Sequence, residues 1–430
     1  MTLARRCCVP GLLFGWLVTS LAAEAPTAQW KRDLGFCRVV TAGHVGKSHQ
    51  LVVLAATDAG ALYVLNPTDG ATVWRFAAGD QQMGCPAIAD VDVDGANEIV
   101  VGSSDAQLYV LNGDDGRVKW RYNVGAIIST APVVARLSRG TRFPEIVVTT
   151  NSGSVHCLRG DGKQAQWERK FARPILASPA VADVNGDRQL DLAVMTDEGE
   201  VTLIEGFSGN DLEQFSIVGG RTSSPVAADL NRDGKAEFFV GGTRLESYGQ
   251  PRGRFGPVWN LVAGGDFISS PALGDLDGDG KLEVVALSRE GVVHCVDAAT
   301  GKAKWSSRVA ASSSACSGSP LIADLTGTKQ SAVLVATPDG ALTALEAAGK
   351  TLWKLEVGGY ADMTPVLFST DGGKSLTVIV SEAATRTVRA FRIEGGGLIQ
   401  WGKLGGDAAN TASAANAQAF GNVLRGLDAK

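Results

Sequence analysis

Tryptophan recurs along this chain at a nearly fixed spacing, and that spacing limits the fold more than any other feature. Trp74, Trp120, Trp167, Trp259, Trp305, Trp353 and Trp401 follow one another at 46 to 48 residues, with one double-length gap that holds Phe215 near its midpoint. The same phrase precedes the tryptophans, as in ALYVLNPTDGATVW, QLYVLNGDDGRVKW, VVHCVDAATGKAKW and ALTALEAAGKTLW. A second phrase lies further upstream, clearest in SPAVADVNGDRQLDLAVM, SPVAADLNRDGKAEFFVG and SPALGDLDGDGKLEVVAL. Each unit thus holds four short apolar runs of strand length. Gly, Asp and Asn turn residues separate them, and no helical period intervenes.

Four strands in a unit of this length form the blade of a β-propeller. One blade cannot bury both of its faces, so neighbours must stack until the ring closes. Eight units begin near Arg38, Ile88, Val133, Val181, Val226, Ala272, Leu321 and Val366. The expected fold is therefore all-β, an eight-bladed propeller of four-stranded antiparallel blades over residues 26–403. Trp30 opens an extra copy of the outer strand ahead of the first unit. Either that segment or the one at Trp401 would close the ring, and the repeat alone allows both. Residues 404–430, rich in Ala, Asn and Gly, form a C-terminal tail.

The N-terminus reads as an export signal over residues 1–23. Arg5 and Arg6 supply the positive start, Val9 to Ala22 is mostly apolar, and the small residues Ala22, Ala23 and Ala25 offer a cleavage site. Removing it leaves 38 basic residues against 45 acidic ones, a net charge of −7. That balance argues against nucleic acid or an anionic membrane surface as partner. No other segment is apolar enough to span a membrane, which predicts a monomer in the periplasm or outside the cell. Five cysteines then remain (Cys37, Cys85, Cys157, Cys295 and Cys316), too few for a disulfide framework.

The phrase VDAATGKAKW, Val296 to Trp305, resembles the repeat of pyrroloquinoline-quinone-type propellers. In that family the small-residue turn joins the two outer strands and the Trp packs between blades. The phrase SPALGDLDGDGKLEVV, Ser270 to Val285, resembles the FG-GAP or VCBS repeat of integrin-like propellers, which implies a calcium loop. Both likenesses specify a fold and leave the activity open.

Four units carry oxygen ligands at positions 1, 3, 5 and 9 of a tight loop. They are Asp90, Asp92, Asp94 and Glu98; Asp183, Asn185, Asp187 and Asp191; Asp229, Asn231, Asp233 and Glu237; and Asp275, Asp277, Asp279 and Glu283. Position 7 (Ala96, Gln189, Lys235 or Lys281) would add a backbone carbonyl. Gly95, Gly234 and Gly280 follow the third ligand, where a tight turn favours φ > 0, and Arg188 stands there in the remaining loop. Clustered acids repel one another unless a cation sits between them, and an all-oxygen set of variable geometry suits calcium. Up to four structural calcium ions are expected, and no organic cofactor. In the other units the pattern decays to Arg136, Ser138 and Glu145, or to Asp324, Thr326 and Thr328. GHVGKS at Gly43 to Ser48 has too short a gap between its glycines for a phosphate loop.

Alternating strand direction puts these loops on one face and the blade-to-blade connectors on the other. Just after each connector one register recurs: Cys37, Cys85, Ala131, Ser178, Ser224, Ser270, Ser319 and Thr364. Small residues there suit inner strands that converge on a channel, and they would also make a polar rim. Cys37 and Cys85, in neighbouring blades at this register, are candidates for a disulfide. The only histidines are His44, His49, His156 and His294, and no GxSxG, HExxH or CxxC motif is present. The sequence therefore predicts a non-catalytic scaffold that binds a protein or glycan through the face opposite the acid loops. A quinone-dependent oxidoreductase and a polysaccharide lyase are the alternatives.

Overall fold

A computed structural model describes residues 25–78, 82–128, 130–219, 223–250, 253–311, 315–358, 364–403, 406 and 410. The export signal at 1–23 lies outside them. The described residues hold no helix; their strands form eight antiparallel sheets, the blades of an eight-bladed β-propeller. Blade 1 is typical, with strands Cys37–Val45, Gln50–Thr57, Ala61–Leu65 and Thr72–Ala77 in chain order. The innermost strands of blades 2 to 8 begin at Ala87, Val133, Ala180, Val226, Ala272, Leu321 and Val366, within a residue of the repeat starts.

Burial follows from the stacking. The second strand of a blade is covered on both faces and so reads as an unbroken apolar run, as in Glu98–Gly102 and Glu283–Leu287, where all five residues are buried. The outer strand is covered on one face only and alternates, as in Val118–Asn123. The core therefore lies between blades. Val100, Leu108 and Val110 of blade 2 pack on Ile146, Val148 and Leu158 of blade 3.

One latch joins most blades. The tryptophan of an outer strand lies on the glycine that turns the third strand of the next blade into its fourth. That glycine has φ near +70 to +80°, and a Cβ on it would meet the ring: Gly70 against Trp30 at 2.6 Å, Gly162 against Trp120 at 2.5 Å, Gly301 against Trp259 at 2.5 Å. Gly116, Gly209 and Gly349 receive Trp74, Trp167 and Trp305 in the same way. Each indole N–H also donates to a carbonyl of that turn, as Trp120 does to Gly160 at 3.1 Å and Trp305 to Ala347 at 2.7 Å.

The latch settles how the ring closes. Strand Thr27–Asp33 pairs antiparallel with Thr387–Glu394 as the outer strand of blade 8, and its Trp30 donates to Pro67 of blade 1 at 2.9 Å. Trp401 belongs to a different element. Strand Ile399–Trp401 pairs with Leu321–Ala323, on the channel side of blade 7, and Trp401 is buried inside the ring. The position of Phe215 also needs correction. Leu203 pairs with Glu213 just as Val110 pairs with Trp120, so Glu213 holds the tryptophan place in blade 4. Phe215 lies two residues further on and stacks on Tyr248 at 4.2 Å between ring centres.

Candidate metal loops and the central channel

All four acid loops sit at the turn between the first and second strands, on one face. Their first acid accepts backbone amides from later in its own loop. Asp90 accepts from Asp94 and Gly95, Asp183 from Gly186 and Arg188, Asp229 from Asp233 and Gly234, and Asp275 from Gly278 and Gly280. The position-5 carboxylate accepts the amide of position 7: Ala96 to Asp94, Gln189 to Asp187, Lys235 to Asp233, Lys281 to Asp279, at 2.7 to 2.8 Å. The position-9 acid accepts the amide of position 2, as Val91 gives to Glu98 at 3.0 Å and Leu276 to Glu283 at 2.8 Å. Asn185 and Asn231 accept from the amides of Asp187 and Asp233. These bonds fix the curl of each loop.

Burial pushes the position-9 acids up: Glu98, Glu237 and Glu283 lie above their usual range, and Asp191 reaches about 7. The amide of Ala96 holds Asp94 below its usual range. Carboxylate oxygens of Asp90, Asp92 and Asp94 lie within 4.8 Å of one another, and so do those of Asp275, Asp277 and Asp279. Such donor sets fit a hard cation.

Two of the loops already hold a cation tethered to the chain, which the sequence reading missed. The Lys119 ammonium lies 2.6 Å from Asp92, 3.1 Å from Asp94 and 2.9 Å from Glu98. Lys304 makes two of these three contacts in blade 6, with Asp277 at 2.8 Å and Glu283 at 2.5 Å. Burial alone would lower both lysines, yet the carboxylates raise them above the usual lysine range. The signal lies in the repeat, because each lysine directly precedes the latch tryptophan of its own blade. Leu212 and Val258 take that place in blades 4 and 5, whose loops carry Asn at position 3. Four acids with one lysine and three acids with one asparagine leave the same formal charge of −3.

A second left-handed position was also missed. Position 4 has positive φ in every acid loop: Val93 at 58°, Gly186 at 83°, Arg232 at 62° and Gly278 at 78°. Arg188, standing in for glycine at position 6, adopts 64°.

On the opposite face the small-residue register forms a hydrogen-bond relay. The amide of Ala131 donates to the Ser178 hydroxyl, Ser178 to Ser224, Ser224 to Ser270, Ser270 to Ser319, and Ser319 to Thr364, at 2.9 to 3.1 Å. Five hydroxyls therefore tie six neighbouring blades together. Cys37 and Cys85 occupy this register without a bridge. Both are buried free thiols, in contrast to the disulfide considered from sequence, and burial pushes Cys37 up to about 12. In each of His156 and His294 the buried Nε2 has no partner among the described residues. His294 touches Ser306 through Nδ1, and burial lowers both imidazoles.

The connector face is built from connectors bonded to the second-to-third hairpin of the next blade, through Asn151 to Ile127, Asp197 to Pro174, Thr243 to Val218 and Arg289 to Asp266. Ile127, Leu176, Val218 and Val262 stand exposed on four successive connectors there, Val262 at 71%.

Comparison with known proteins follows this architecture. The chain is similar to BamB from Moraxella catarrhalis, at 15% identity over 86% of this chain and 98% of that one, with a TM-score of 0.61. It is also similar to Sqt1 from Saccharomyces cerevisiae (12%, 86% and 100%, TM-score 0.67) and to the computationally designed Ika8 protein (13%, 85% and 100%, TM-score 0.60). At these identities the likeness shows the fold alone. No curated protein matches by sequence. The family model described as outer membrane protein assembly factor BamB matches residues 15–233 and 258–425. The gap between the two matches covers strands Glu237–Gly241 and Leu245–Gly249 of blade 5. With most of its length matched, the chain belongs to the BamB family of PQQ-like propellers.

Proposed function

We propose that this protein is an exported, non-catalytic propeller that binds a protein component of outer membrane assembly through its connector face. Family membership supports a protein-binding role, and the family description supplies the class of partner. The observation that carries the choice of face is the arc of Ile127, Leu176, Val218 and Val262. Exposed apolar groups on four successive connectors of one face offer contact area that isolated ones do not. The acid-loop face, by contrast, is lined with charged and self-bonded turns. The net charge of −7 after export favours a partner with a basic or neutral surface. Among the described residues no helix is long and apolar enough to cross a membrane.

The acid loops are read as FG-GAP-type calcium sites with a structural role. A bound ion would be held by Asp183, Asn185, Asp187 and Asp191, and by Asp229, Asn231, Asp233 and Glu237, with the Gln189 and Lys235 carbonyls as further donors. Among the described residues no lysine ammonium is paired with the acids of these two loops, so they take the ion first. At Asp90–Glu98 and Asp275–Glu283 an ion must displace Lys119 or Lys304. Glycan, quinone and lyase readings gain no supporting observation.

Photo-crosslinking tests the docking face. A benzophenone amino acid at Val262 or Leu176 should yield an adduct with an outer-membrane assembly protein, identified by mass spectrometry, while one at Lys281 should not. An adduct formed from Lys281 and not from the connectors would overturn the assignment.

A further inference from the structure

In most of the blades the innermost strand leaves its channel-side edge unpaired. Among the described residues blade 7 is the exception: Ile322 pairs with Trp401 and Ala323 with Ile399. The segment that does this follows the last strand of blade 8, after the ring has closed. Its contacts reach well beyond one edge. The Gln400 side chain grips blade 6 as a strand would. Its Oε1 accepts the Asp275 amide at 2.8 Å, and its Nε2 donates to the Asp275 carbonyl at 2.7 Å and to Ser331 at 2.6 Å. The carbonyl of Gly402 accepts the amide of Leu367, in blade 8, at 2.9 Å. Trp401 is 1% exposed and lies against Gly406.

Further along the chain, Asn410 lies on the connector side. The Asn410 amide donates to the carbonyls of Pro86 and Pro132, in blades 2 and 3, at 3.2 and 3.1 Å. That is where the hydroxyl relay is missing, because Cys37, Cys85 and Ala131 fill the register there. Lys403 lies close enough to Cys85 for its charge to oppose the upward push of burial on the thiol. The described part of the C-terminal segment thus enters at the acid-loop face, lines blades 6 to 8 and ends over the gap in the relay.

We propose that the central channel is a peptide-binding site that accepts an extended segment by strand addition to blade 7, and that the chain's own residues 398–403, with Asn410, are its resident, occluding ligand. Backbone pairing to Leu321–Ala323 supplies affinity. The two side-chain amides supply register: Gln400 pairs with both the amide and the carbonyl of Asp275, and Asn410 donates to two carbonyls, Pro86 and Pro132, that an apolar residue would leave unpaired. While seated, the segment shuts the channel to any other ligand and shields Cys85.

The test uses the full chain carrying Asn410→Ala, and separately Gln400→Ala with Asn410→Ala. Labelling of native protein by a thiol reagent is followed at each cysteine by mass spectrometry. Cys85 should label at least about tenfold faster than in the parent, with Cys157 and Cys295 unchanged. A synthetic peptide of residues 396–412 should restore protection. Unchanged labelling of Cys85 would overturn the proposal. So would acceleration at all the cysteines together, which would make the segment part of the core, or a peptide that fails to protect.

Discussion

Replacing Lys119 by methionine separates the two ways of neutralising an acid loop. The ammonium sits within 3.1 Å of three carboxylates, of which Glu98 is 1% exposed and Asp94 is 51% exposed. Glu98 uses one oxygen for the Val91 amide and the other for Lys119. Methionine keeps the stem and removes the charge, leaving a buried carboxylate half satisfied. At an effective dielectric of about 20, one unit pair at ~3 Å is worth about 5 kcal/mol before hydration is counted. Water reaches Asp94 and Lys119, so most of that is screened, and a net loss of about 1 to 3 kcal/mol is expected. Urea denaturation in chelator should show that loss. In millimolar calcium, Lys119→Met should recover much of it, because the ion then enters without displacing an ammonium. If the variant matches the parent in chelator, the lysine is no counter-ion. If calcium stabilises parent and variant equally, the two cations do not compete for one place.

Other outcomes follow from the same geometry. Gly162→Ala puts a methyl 2.5 Å from the Trp120 ring at φ +71° and should cost about 2 to 4 kcal/mol in urea denaturation. Gly140→Ala, with similar φ and open space around it, should cost only about 1 kcal/mol. Val93 is β-branched and held at φ 58°, so Val93→Gly should raise the melting temperature, by about 1 kcal/mol of stability. His156 and His294 are lowered by burial, so the folded state binds fewer protons than the unfolded chain. Their contribution is whole above the unfolded value near 6.5 and is lost as pH falls below it, with a slope of at most about 1.4 kcal/mol per pH unit for each. A double change to glutamine should flatten melting temperature between pH 6.5 and 5.

The blades were legible because everything that defines one is local. Four apolar runs, an Asx-rich first turn and a glycine before the last strand all fall within one repeat, so their spacing reports them directly. The acid loops were legible for the same reason, and the amides that curl them come from the same few residues. Lys119 and Lys304 stand on the outer strand, 21 residues beyond the position-9 acids that they contact. Only the sheet register carries their side chains back across two strands to the loop. Glu213 lies 46 residues from both Trp167 and Trp259, but it carries no aromatic ring to mark the place, and only the pairing of Leu203 with Glu213 shows that Phe215 stands two residues beyond it.

By itself, the sequence determined the number of blades, their boundaries and the face on which the acids lie. The tertiary structure decided which strand closes the ring and what fills its centre. Every copy of an outer strand carries the same local pattern, so Trp30 and Trp401 look equivalent until their partners are known. A tryptophan can latch only where a following blade offers a turn glycine. Trp30 takes the outer place of blade 8 and finds Gly70 of blade 1; with that place filled, Trp401 turns inward and buries its ring in the channel.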